Sequence, residues 1–187
     1  VSLDDAAAWA IAKGADGGMR DAQSMLDQLV AFCGDAITEQ NVLDIFGFTS
    51  REIIAELTQS ILKKETSQSL SQLHAQAASG KDLPQLLTEP ISCFRAILVA
   101  QIDSSAGSEG FPDELWQPLI TLAETQTTER ILAVIDSLAA TDGDMKRASN
   151  KRLHLEIGII KAIQTLHSAN ISDVIRALAG AEALPAE

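Results

Sequence analysis

Between residues 19 and 33 a set of apolar side chains falls at Met19, Ala22, Met25, Leu26, Leu29, Val30 and Cys33, at intervals of 3, 3, 1, 3, 1 and 3. That spacing gathers them on one face of a helix and would scatter them over both faces of a strand. The same period returns along the chain, usually opened by a capping residue or closed by a glycine. Ser2 reads as an N-cap with Asp5 in the capping-box position, and Leu3, Ala7, Ala10 and Ile11 form a stripe that ends at Lys13–Gly14. Asp16 or Gly17 opens the next helix and Gly34 closes it. Thr38 caps a short helix over Glu39–Phe46, which Gly47 stops. No stretch alternates apolar and polar residues as a half-buried strand would. An all-α fold is expected, beginning with a three-helix bundle over residues 1–46.

"GFTS" at 47–50 reads as a hinge-like connection, with Thr49 or Ser50 capping the fourth helix. Helical stripes then run through Ile53–Leu62 and Ser67–Ala78. A longer helix starts at Leu83–Pro84, with Pro90 predicted to kink it. "DSSAGSEGFP" at 103–112 is the one Gly/Ser-rich break and reads as a mobile link. Further helices are expected at 113–124, 127–140, 146–167 and 171–181, with Thr128 and Ser172 as caps and a frayed tail after them.

The chain has 187 residues and a net charge of −12. Affinity for a phosphate backbone comes from Lys and Arg displacing counterions, so broad nucleic-acid binding is not expected. No apolar run approaches the roughly 18–20 residues that span a bilayer. Cys33 and Cys93 stand alone in apolar patterns, which predicts buried free thiols in a reducing cytoplasm. The chain opens on Val1, already inside helical pattern, and is read as a segment of a longer protein.

The residues that would support catalysis by this chain are missing from the pattern. There is no phosphate-binding loop and no H-E-x-x-H, and His74, His154 and His167 are scattered. Lys146, Arg147, Lys151 and Arg152 make a basic cluster at the start of the expected 146–167 helix. It is either a solvated loop facing acidic neighbours or a candidate contact for a subunit or nucleic acid. Arg20 is the sharper feature. It sits in the first turn of a helix, where the backbone already carries partial positive charge. It either pairs locally, with Asp16, Asp21 or Ser24, or joins the free N–H groups of the helix end in receiving a polyphosphate.

"DGGMRDAQSMLDQLVAF" resembles the lid segment of the bacterial DNA polymerase III gamma/tau family of AAA+ clamp loaders, which reads G-S-x-R-D-A-L-S-L-L-D-Q. Gly17, Met19, Arg20, Asp21, Ala22, Ser24, Leu26, Asp27 and Gln28 carry the match; Gly18, Gln23 and Met25 depart from it. "AITEQNVLDIFG", "DLPQLLTEPISCFRAILVAQI", "NKRLHLEIGIIKAI" and "ISDVIRALAGAE" are similar to later segments of the family, in the same order.

The resemblance implies that residues 1–46 are part of a helical ATPase lid and residues 48–187 a collar that joins other clamp-loader subunits. It implies that Arg20 is a sensor arginine for the γ-phosphate of ATP, with Met19 near the base or the lid hinge. ATP and Mg would belong to the parent protein, and neither is expected on this chain, which alone would not be catalytic. The sliding clamp and primed DNA would be met through an amino-terminal ATPase domain, in the bacterial cytoplasm. A non-catalytic subunit of the same ring, delta prime-like, and an unrelated helical interaction scaffold stay open at this point.

Overall fold

A computed structural model describes residues 1–103, 108 and 110–167. Nine helices fall within them: α1 (Asp5–Gly14), α2 (Met19–Cys33), α3 (Glu39–Phe46), α4 (Arg51–Leu62), α5 (Thr66–Ala78), α6 (Leu83–Ile102), α7 (Asp113–Ala123), α8 (Thr128–Met145) and α9 (Lys151–His167). The fold is all-α, as expected. The helix expected at 171–181, its Ser172 cap and the tail lie outside the described residues, as do positions 104–107 and 109 of the 103–112 link.

Local chemistry explains most helix ends. Thr38 and Asn41 close a capping box at α3. Gly47 ends that helix at φ +69°, the left-handed position that a Cβ disfavours. Ser50 accepts from the Ile53 N–H at α4, so of the two expected caps it is Ser50 that acts. The Asp82 carboxylate accepts from the Gln85 N–H, with Pro84 in the first turn of α6. Pro90 is a buried interior residue of that helix.

The amino-terminal end departs from expectation. Asp4, not Ser2, caps α1 by accepting from the Ala7 N–H. Ser2–Leu3 instead forms a two-residue strand, β1, parallel to Ala36–Ile37, β2, with Leu3 beside Ile37. Leu3 therefore leaves the helical stripe. The later cap is Thr127 and not Thr128.

The described residues gather into two apolar cores. Ala7, Ala10, Ile11, Met25, Leu29, Ile37 and Val42 form one among α1–α3, with Phe46 and Phe48 packed against it. The other, among α4–α9, is larger and centres on fully buried Ile61, Leu86, Phe94, Leu119, Leu138 and Ile159. Cys93 is buried there, while Cys33 is only half-buried, so one of the two expected buried thiols is partly open. Among the described residues no helix is long and apolar enough to cross a membrane.

Candidate functional site

The turn between α1 and α2 presents the sequence's most distinctive residues. The Ala15 N–H closes α1 onto Ile11 O, and Gly18 N–H donates back to Ala15 O at 2.8 Å. Between them Asp16 (φ +46°) and Gly17 (φ +81°) both take left-handed backbone, which reverses the chain. α2 therefore begins at Met19, slightly later than the Asp16 or Gly17 read from sequence. Gly18 is its N-cap and offers no side-chain oxygen. The first N–H groups of a helix have no intrahelical acceptor, so this end of α2 carries unsatisfied donors and partial positive charge. The Asp21 carboxylate leans toward it: a Cβ at Gly18 would lie 2.5 Å from Asp21 Oδ2.

Arg20 is exposed in this first turn, and among the described residues its guanidinium has no ion-pair partner. Neither Asp16 nor Asp21 takes it up. The Ser24 hydroxyl does bond to Arg20, but at the backbone carbonyl, at 2.9 Å. Met19 is 75% exposed and lines an apolar groove between α1 and α2 with Leu3, Ile11, Ala22 and Leu26. Helix geometry thus places a free cation and an apolar patch side by side at one end of the first bundle.

The basic cluster is organised differently from expectation. No helix runs through 146–150. Lys146 caps the C-terminus of α8, and Asn150 caps α9 by accepting from the Leu153 N–H at 3.1 Å. Asn competes with helical backbone in an interior but satisfies it at an N-cap, which sets the break. The cluster therefore straddles a turn. Lys146 pairs with Asp142 (2.6 Å), Arg147 with Asp144 (3.8 Å) and Arg152 with Glu156 (2.9 Å). Lys151 is exposed in the first turn of α9. Glu156 also receives His74 Nε2 from α5 at 2.9 Å. The Arg152 hydrogen bond, and more weakly His74, hold the Glu156 carboxyl below its usual range against the opposing effect of burial. Among the described residues no group of three or more His, Cys, Asp or Glu side chains gathers to hold a metal ion.

The sequence reading missed a polar junction where the two bundles meet. Lys13 and Arg51 both lie over the Trp9 ring, at 4.9 and 4.7 Å from its centroid. Trp9 and Arg51 come from different bundles, and no local spacing rule pairs them.

Comparison with known proteins identifies the family of the chain. Residues 37–178 match the family model described as DNA polymerase III subunits gamma and tau domain III. Residues 1–35 match that of the DNA polymerase III clamp loader subunit, ATPase lid domain. DNA polymerase III subunit tau of Bacillus subtilis is 30% identical over 171 residues, covering 90% of this chain and 30% of that protein. The gamma/tau subunit of Mycobacterium tuberculosis is 26% identical over 164 residues, 84% of this chain and 28% of that protein. The chain thus spans under a third of the length of these relatives. Among solved structures, a Bacillus subtilis DNA clamp loader delta protein has a similar fold, with TM-score 0.50 and 19% identity over 87% of this chain and 51% of that one. The chain belongs to the gamma/tau family of DNA polymerase III clamp-loader subunits.

Proposed function

We propose that α1–α3, within residues 1–46, act as an ATPase lid, and that residues 48–187 act as a collar holding neighbouring clamp-loader subunits. Arg20 is the lid's contact with the γ-phosphate of ATP. The observation that carries this is the unpaired, exposed Arg20 guanidinium beside the uncapped N-terminus of α2. A guanidinium fork and free helix N–H groups both bind phosphate oxygens, and together they suit a polyphosphate. Met19 and its groove lie next to that cation and offer an apolar surface to the base or to the body of the ATPase domain. Asp21 must swing away from the helix end as phosphate arrives, because the two carry like charge.

The site supplies one side of a nucleotide pocket. ATP with Mg would be held by an ATPase domain of the full-length protein, and that domain would also meet the sliding clamp and primed DNA. The chain by itself has no ATP turnover, and its place is the bacterial cytoplasm. The matches to both the gamma/tau lid and domain III favour this reading over a delta prime-like subunit, and family membership removes the unrelated scaffold.

The test is Arg20→Ala in the full-length protein. ATP-dependent clamp loading should fall at least about a hundredfold, the lower end of the loss when one hydrogen-bond donor to a developing oxyanion is removed, while circular dichroism stays unchanged. Unaltered loading would show that Arg20 does not sense nucleotide.

A further inference from the structure

We propose that Trp9, Lys13, Glu39, Arg51 and Glu89 form a releasable clasp that sets the angle between the α1–α3 bundle and the α4–α9 bundle, with residues 47–50 as the pivot. The inference does not depend on what Arg20 binds.

The two bundles have separate apolar cores. Among the described residues no helix of one lies in extended contact with a helix of the other. Around the packing of Trp9 on Gly110, the contacts that join them are polar and cross in both directions. Lys13 on α1 forms an ion pair with Glu89 on α6. Arg51 on α4 reaches back to Glu39 on α3 at 3.3 Å and donates to Gly110 O at 2.9 Å. Both cations lie over Trp9. Gly110 packs so tightly on the indole that a Cβ there would stand 2.5 Å from Trp9 Cζ2.

Three further polar atoms bear on the joint. Among the described residues Thr49 Oγ1, Arg51 Nε and Gln85 Oε1 are buried without a hydrogen-bond partner, and all three residues line one cavity of about 20 Å³ between the bundles. That is space for about one water, which needs roughly 10–15 Å³ and two to four polar neighbours. On the other side of the connection, Asp82 N–H donates to Gly47 O at 3.1 Å and Lys81 Nζ to Leu43 O at 3.3 Å. These bonds hold the end of α3 next to the pivot. The 47–50 connection is therefore not a free hinge: Thr49 is buried, and Phe48 lies against Gly14.

A contact of this kind can open without exposing either core. Ion pairs and hydrogen bonds exchange for water at small net cost, whereas apolar cores do not. Polar junctions between separately cored bodies permit relative motion. In a lid-and-collar protein, such a clasp would decide whether a lid movement reaches the collar.

The experiment places spin labels at Asp27→Cys and Lys161→Cys, both exposed, in a Cys33→Ser background with Cys93 left buried. The parent chain should give a single narrow interlabel distance distribution. Arg51→Gln and Trp9→Ala should each widen it about twofold with helicity retained. About 1 M sodium chloride, which shortens the screening length to about 3 Å, should widen the parent's distribution too. If a variant loses helicity, Glu89→Gln decides by the same readout. Distributions in folded variants that match a narrow parent would overturn the proposal, as would a parent already as broad as the variants.

Discussion

Gly158 on α9 lies against Thr141 on α8, so closely that a Cβ at 158 would stand 2.4 Å from both Thr141 Oγ1 and Cγ2. Thr141 cannot easily turn aside, because its hydroxyl is bound to Ser137 O at 2.8 Å. Among the described residues α8 and α9 form the most extensive helix pair, and this close approach lies at their contact. Gly143, two residues beyond Thr141 on the same helix, faces open space.

The two glycines should therefore respond oppositely to alanine. Gly158→Ala gains about 1 kcal/mol of helix propensity but forces the helices apart, at a cost near the upper end of the about 1–3 kcal/mol range for overpacking. It should lower the urea midpoint, with a net loss of about 2 kcal/mol in stability. Gly143→Ala meets no neighbour and should raise the midpoint, with a gain of about 0.5–1 kcal/mol in stability. Urea midpoints moving in the same direction for both would contradict the close α8–α9 contact.

Glu156 ties α5 to α9 and should leave a signature in acid. Its carboxyl is held below the ordinary value of 4.5, first by Arg152 and then by His74. A lowered folded pKa means that the carboxylate stabilises the fold above about that value and stops doing so as the pH falls through the folded pKa. Glu156→Gln should cost about 0.5–1 kcal/mol near neutrality and progressively less as the pH falls below 4.5 and through the folded pKa. Urea titrations of both proteins across this range check it; a constant difference at every pH would rule it out.

Arg20→Ala should leave the stability of this chain within about 0.5 kcal/mol, because an exposed side chain without a partner contributes little to folding. Thermal unfolding of the two chains measures this. A drop of about 2 kcal/mol or more would reveal a structural role for the guanidinium.

The α8–α9 turn should not hold DNA. Three of its four cations already face acidic partners, and the chain carries a net charge of −12. Fluorescence anisotropy with a single-stranded oligonucleotide at physiological salt should give a Kd weaker than about 10⁻⁴ M, the weak end of non-specific binding. Micromolar binding that Lys151→Glu abolishes would reinstate the cluster as a nucleic-acid contact.

How much is legible in the sequence depends on the range of each interaction. The bounds of α3, its Thr38 cap and its Gly47 stop agree in sequence and structure, because each depends on residues within one turn. The break at 146–150 is also local, but the helical pattern on either side hides it, and only the bond from Leu153 N–H shows Asn150 to be a cap. Ser2 misleads for a different reason. Its capping pattern is sound locally, but Asp4 offers the same chemistry two residues later, and pairing with Ala36 draws Ser2–Leu3 into a strand. Arg20 stands out in sequence because a cation at a helix N-terminus is electrostatically odd and because the surrounding motif resembles a lid. That its guanidinium has no ion-pair partner among the described residues is visible only in three dimensions.

The sequence by itself determined that the chain is helical, where most helices start and stop, and which family it belongs to, since periodicity, caps and motifs are written in neighbouring residues. Tertiary structure alone decided which charges are neutralised, where two helices approach to glycine distance, and that Trp9, Lys13 and Arg51 meet between two separate cores. Those outcomes depend on side chains far apart in the chain, brought together only when apolar burial has set the packing of the helices.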